Sequence, residues 1–339
     1  MKFEDIYIAG HGSRLPPAHS VEQAVAEELL DRSVAQQTKA VSVTVSEHES
    51  GPELAVAAAR AALEHAAAAG HTPSVDLLLH ADVFYQGHDL WAPASYIQDQ
   101  VLRNSCPAIE IRQLSNGGMA GLELAASYLA ASPEREGALL TAGDRFNPPG
   151  FDRWGSDPGT LFADGGSALL LSRRSGFARL LSLATHSDPE LERMHRGDDP
   201  FSEVPFGVRP AVDIAATQAA FLARTGVSFA VARVSAGQNT VLKTVLAEAD
   251  LPLDAIDWFV LPHLGHRRLN ATYFKPYGID PERTTWPWSR EVGHLGAADQ
   301  YAGLGHLLDS GRLQPGQRCL LAGIGAGFSW SCAVIEMTG

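Results

Sequence analysis

Apolar positions along the chain follow two alternating rhythms. Near-continuous apolar runs, Val75–His80 and Ala138–Ala142, have the length and spacing of buried strands. Between them lie alanine-rich stretches, Glu53–Ala69 and Gly118–Ala131, whose apolar positions recur at helical spacing. This alternation predicts an α/β sheet covered by helices on both faces. No low-complexity linker interrupts it, and the loop-rich exception is residues 186–210, which carry SDPELERMHRGDDP and two further prolines.

The rhythm also repeats. VDLLLHAD from Val75 resembles IDWFVLPH from Ile256, and ALLTAGD from Ala138 resembles CLLAGIG from Cys319, both at an offset of 181 residues. The same offset carries LSNGGMAGLELAA from Leu114 onto LGAADQYAGLGHL from Leu295. A shared offset points to duplication. Two halves are expected, residues 1–175 and 176–339, and equivalent helix starts should face each other across a pseudo-dyad. That places Ser115 near Gly296, and so near His294 and Asp299.

Composition narrows the function classes. The 339 residues are 45% hydrophobic and 19% charged, enough for a sizeable core. A net charge of −13 repels a nucleic-acid backbone. The amino terminus has no leader pattern and no apolar run is long enough to span a bilayer, so a cytoplasmic protein without membrane contact is expected. Cys106, Cys319 and Cys332 form neither a disulfide framework nor a zinc cluster. No metal or redox cofactor is expected. In MHRGDDP, His195 with Asp198 and Asp199 reads as a charged loop; His195 reaches a site only if that loop folds over it.

These segments, in order from near Tyr7 to Met337, resemble the ketosynthase III family of acyl-transferring enzymes. IEIRQLSNGGMAGLELA resembles its nucleophile elbow, TAGDRFNPP and GTLFADGGSALLLS its acidic-glycine region, FVLPHLGHRRL its histidine motif, EVGHLGAAD its asparagine motif, and LLAGIGAGFSWSCAVIEM its glycine-rich last strands. The resemblance implies a thiolase fold: duplicated βαβαβαββ halves in five α-β-α-β-α layers, assembled as a homodimer. Two departures stand out. Ser115 occupies the position of the family's cysteine and His294 that of its asparagine, whereas His263 keeps the usual histidine. The pattern resembles a subgroup from antibiotic biosynthesis that moves acyl groups onto alcohols, amines or carrier proteins, and a serine-bearing member that primes anthracycline pathways.

A serine hydroxyl needs a general base, unlike a thiolate that a helix terminus can stabilise. His294 is placed to take the proton and Asp299 to hold the imidazole, unless Ser115 is only a turn residue. His263 reads either as a second donor to the thioester or as packing beneath the site. The resemblance implies that the amides of Ser115 and Gly327 form an oxyanion hole. Arg267 and Arg268, with Arg14 and Arg153, are candidates for meeting coenzyme A phosphates or an acidic carrier protein; Trp91, Trp286 and Trp288 are candidates for an acyl pocket or the core. Three functions stay open: acyl transfer through acyl-Ser115 from a coenzyme A or carrier-protein thioester, decarboxylative condensation by a priming ketosynthase, and a non-catalytic partner subunit.

Overall fold

The computed structural model describes residues 1–338. Among these residues eleven strands are present: β1 Tyr7–Arg14, β2 Ala18–Ser20, β3 Ser42–Thr44, β4 Val75–Ala81, β5 Ala108–Ile111, β6 Gly137–Asp144, β7 Gly165–Ser172, β8 Ala178–Ser187, β9 Trp258–Val260, β10 Arg318–Gly325 and β11 Ser329–Met337. Nine of them hydrogen-bond in the order β5-β4-β6-β7-β1-β8-β11-β10-β9, while β2 and β3 pair separately. The first five come from residues up to Ser172 and the last four from Ala178 onward. The two groups meet at β1 and β8 through only two residue pairs, Tyr7 with Arg179 and Ile8 with Ala178.

The helices follow from local sequence. Ser50 donates its backbone N–H to Glu53 at 2.8 Å, and Pro52 fills the first turn, so the expected helix starts early and spans Gly51–Ala68. Its buried face, Leu54, Ala55, Ala58, Ala59, Ala62 and Ala66, recurs at helical spacing and covers the outer side of the first sheet group. The helix Val227–Ala249 covers β8 and β11 on the opposite outer side. Between them lie Gly117–Ala130 and Asp299–Asp309, the two helices that the 181-residue offset pairs.

This arrangement gives the five layers of a thiolase fold. The central core joins Met119, Leu122 and Leu129 with Tyr301, Leu304 and Leu307, and with strand residues of both halves. Each fully buried leucine there contributes about 1.5–3 kcal/mol.

The duplication is unequal. In the second half the counterpart of β5 shrinks to an isolated parallel bridge between Phe259 and Thr284. Pro287, lacking an N–H, opens the short helix Trp286–Ser289 just beyond the bridge, so a ladder cannot continue. Among the described residues no single helix is long and apolar enough to cross a membrane.

Candidate active site

The chain leaves β5 and turns into the Gly117–Ala130 helix through Leu114, whose φ of 48° is left-handed for a non-glycine residue. Ser115 is thereby presented, half-buried, just ahead of the helix amino terminus. Asn116 anchors the turn by donating to Ser329 Oγ at 3.2 Å and Ser331 Oγ at 2.9 Å on β11. Across the pseudo-dyad the approach is close: a Cβ on Gly118 would stand 2.4 Å from the Ala297 carbonyl oxygen. Only glycine fits there.

That approach assembles the predicted relay. Ser115 Oγ lies 2.8 Å from His294 Nε2, and His294 Nδ1 lies 2.6 Å from Asp299 Oδ2. A carboxylate accepts, so His294 carries its proton on Nδ1 and turns the Nε2 lone pair to the serine. Asp299 has further donors. Oδ2 also accepts the His263 backbone N–H at 2.8 Å, and Oδ1 accepts that of Leu295 at 2.8 Å. Burial pushes its carboxyl up, but His263, His294 and these donors outweigh burial and hold it below the ordinary aspartate range.

His263 has a different orientation from His294. Its Nδ1 donates to the Gly293 carbonyl at 3.0 Å and lies 3.2 Å from Asp299 Oδ1. Nε2 finds no hydrogen-bond partner among the described residues, and a Cβ on Gly303 would stand 3.7 Å from it. The ring meets Trp288 edge-on at 5.3 Å. Burial lowers the His263 pKa, against the opposing pull of Asp299 and the Gly293 carbonyl. His263 hydrogen-bonds on its Asp299 and Gly293 side, and no hydrogen bond joins it to Ser115 among the described residues.

Gly327 sits at the β10–β11 turn with φ of 139°, a glycine conformation. The next residue, Phe328, exchanges backbone hydrogen bonds with Asp188 at 3.0 and 2.8 Å. These bonds carry the β8–β11 pairing one residue further, to the start of the loop-rich segment. His195 packs on Phe328 with ring centroids 5.3 Å apart, its Nδ1 is buried without a partner, and burial lowers its pKa to about 4.

The arginines divide. Arg267 is exposed, donates to Gln37 Oε1 at 2.7 Å, and lines a cavity of about 280 Å³ with Thr38, Gly159 and Ala271. Arg268 borders the same cavity, but its guanidinium is forked onto buried Asp157. Arg14 is forked onto Glu49. Arg153 is not a surface group: it is buried, with both terminal nitrogens on Asp164 at 2.9 and 3.0 Å. Trp286 is core, Trp288 stacks on His306, and Trp91 is exposed. No cluster of His, Cys, Asp or Glu among the described residues could hold a metal ion. Sequence reading missed Phe162, whose ring meets that of His294 at 5.1 Å. Its place in GTLFADGG was the available signal.

Comparison with known proteins agrees with this architecture. Residues 246–337 match the family model described as 3-oxoacyl-[acyl-carrier-protein] synthase III, C terminal. A β-ketoacyl-[acyl-carrier-protein] synthase III of Rhodospirillum rubrum is 29% identical over 97% of this chain and 98% of that protein. A solved structure described as ChlB3, an acyltransferase, superposes with a TM-score of 0.93 at 34% identity, covering 99% of this chain and 98% of that one. The synthase III of Aquifex aeolicus shares the fold, with a TM-score of 0.78 at 18% identity and coverage of 98% of this chain and 99% of that one. With this likeness running nearly end to end, the chain belongs to the 3-oxoacyl-[acyl-carrier-protein] synthase III family of thiolase-fold enzymes, transferases that carry out acyl transfer or condensation.

Proposed function

We propose that this enzyme moves an acyl group from a coenzyme A or carrier-protein thioester onto Ser115, and then to an acceptor hydroxyl, amine or carrier thiol, in polyketide or related natural-product biosynthesis in the cytoplasm. The observation that carries the reading is the continuous relay from Ser115 Oγ through His294 to Asp299. As Ser115 Oγ attacks the thioester carbonyl, its proton passes to His294 Nε2, and Asp299 stabilises the imidazolium. The carbonyl oxygen gains charge and is met by the amides of Ser115 and Gly327. Collapse breaks the carbon–sulfur bond, and the imidazolium returns the proton to the departing thiolate. The acceptor then attacks the Ser115 ester by the same steps in reverse, giving its proton to His294, which passes it back to Ser115.

His263 acts here as support for Asp299. In this reading His195, packed on Phe328, meets the acceptor, and Arg267, which lines the cavity, meets a phosphate. The protein serves as a homodimer, in keeping with β5 at a sheet edge with Ile109 exposed, and with Leu90 and Trp91 exposed ahead of the Pro93–Val101 helix that precedes β5 in the chain. No metal or redox group enters these steps. The acyltransferase named among its structural relatives favours simple transfer; the synthase III relatives favour condensation as the second reading.

Intact-mass measurement after exposure to acyl-coenzyme A and acyl-carrier-protein panels tests this. An acyl adduct lost in Ser115→Ala and insensitive to iodoacetamide is expected. Carbon dioxide release from malonyl carrier protein, coupled to a β-ketoacyl product, would establish condensation. No adduct from any donor would assign the chain to a partner role.

A further inference from the structure

The relay's base and its carboxylate belong to the second half, whereas Ser115 belongs to the first. Two buried aspartates of the first half reach the segment that carries the base. Asp164 is fully buried. Its Oδ1 accepts from Phe146 N at 2.8 Å, its Oδ2 from Ser46 N at 2.8 Å, and Arg153 forks onto both oxygens. The residues just before it form a clamp: Ala163 N donates to the His294 carbonyl at 2.8 Å, and His294 N donates to the Leu161 carbonyl at 2.9 Å. His294 is thus held by its own backbone to a segment that Asp164 ties down.

Asp144 works on the other side of the same turn. It is fully buried, and its carboxylate accepts from Val83 N at 2.9 Å, Phe84 N at 2.9 Å and Gln86 Nε2 at 3.3 Å. A Cβ on Gly296 would stand 2.6 Å from Asp144 Oδ2, so the turn passes directly over the carboxylate. Burial and neighbouring Asp82 push this carboxyl above the ordinary range, and the Phe84 and Val83 amides oppose that rise.

We infer that Asp144 and Asp164 are positioning residues that fix the two ends of the His294–Gly296 turn against the Ser115 half; the inference rests on the serine relay proposed above. Neither touches the reacting atoms. Asparagine at either site keeps the size and replaces one accepting oxygen with a donor. At Asp144 that amide would confront backbone N–H groups, and at Asp164 it would confront the Arg153 fork or Ser46 N–H. A shift of the turn by about 1 Å would cost about 10²-fold in Ser115 activation.

A fluorophosphonate probe tests this, because it reports an activated serine whatever the natural acyl group. In the wild type, mass-detected labelling should fall on Ser115, with a pH profile set by a single base. Asp144→Asn and Asp164→Asn should each slow labelling about 10²-fold and shift that profile. The control is iodoacetamide alkylation of Ser115→Cys, with and without each asparagine change, since a thiol depends less on the base. Expected there is a change of less than about threefold, a smaller dependence consistent with thiolate chemistry. Equal losses with both probes would mean general loosening and overturn the positioning role, as would labelling unchanged in both variants. Absence of wild-type labelling, together with the lack of any acyl adduct, would sink the serine reading itself and the inference with it.

Discussion

The two halves present the same local device, a small-residue turn entering a helix, and use it oppositely. In the first half the turn holds Ser115 half-buried. In the second it holds His294 and Asp299 almost wholly shielded, beside a sheet that has lost one strand. The first turn sits at the amino end of a helix of 14 residues, the second at that of one of 11, whose first residue is the carboxylate. Duplication set the mutual geometry of the turns, and later divergence set their chemistry. A nucleophile has to meet substrate, whereas a base and its orienting acid work best shielded from water.

The most severe way to break this division is Asp299→Asn. The amide can favour the wrong His294 tautomer, so single-turnover acylation should fall by up to about 10⁴-fold while folding survives. Adding Ser115→Cys should shrink that penalty, because a thiol needs less help from a base. Multiplicative losses in the double variant would show that Asp299 does not act through the nucleophile.

The seam between the turns can be probed next. Gly118→Ala drives a Cβ against the Ala297 backbone, which no side-chain rotation relieves, and should cost about 1–3 kcal/mol with a matching loss of acylation. Gly121→Ala is the informative contrast. There the new Cβ would meet the Tyr301 hydroxyl at 3.4 Å, an ordinary contact, and helix propensity should make it neutral or stabilising by up to about 1 kcal/mol. Thermal midpoints check both.

The gentlest test uses the histidines near the ends of the equivalent strands β4 and β9. His80 is fully buried, bonds to Thr141 and Gln86, and has its pKa lowered to about 4 by burial. A neutral native histidine that charges on unfolding near pH 6.5 stabilises fully above that value. Its contribution is lost as pH falls from about 6.5 toward 4, at about 1.4 kcal/mol per pH unit. Asp299, with its lowered pKa, loses its contribution only below about pH 3.8. Denaturant midpoints across pH 4–7 should therefore decline on the acid side, and His80→Gln should flatten the decline.

Much of the fold was legible because periodicity and the repeat report on backbone and burial. The helix expected at Gly118–Ala131 runs from Gly117 to Ala130, and the strand at Ala138–Ala142 lies within β6. The offset that aligned Ser115 with Gly296 also anticipated the meeting of the two helix starts. What escaped depends on side chains choosing partners across the chain. Arg153 and Arg268 read as free cations, yet buried Asp164 and Asp157 claim them. The orientation of His263 toward Asp299 and Trp288, and the loss of a strand after Thr284, were likewise invisible to spacing.

The distance along the chain between Ser115 and His294 gives the proposed relay an order of assembly. His294 follows Ser115 by 179 residues. At ribosomal rates of about 5–20 residues per second, roughly 10–40 s separate their synthesis. A cysteine at the elbow of a partly made chain could already meet cellular thioesters and electrophiles. In the proposed relay a serine awaiting its histidine stays inert, so reactivity would arise only once the second half closes onto the first.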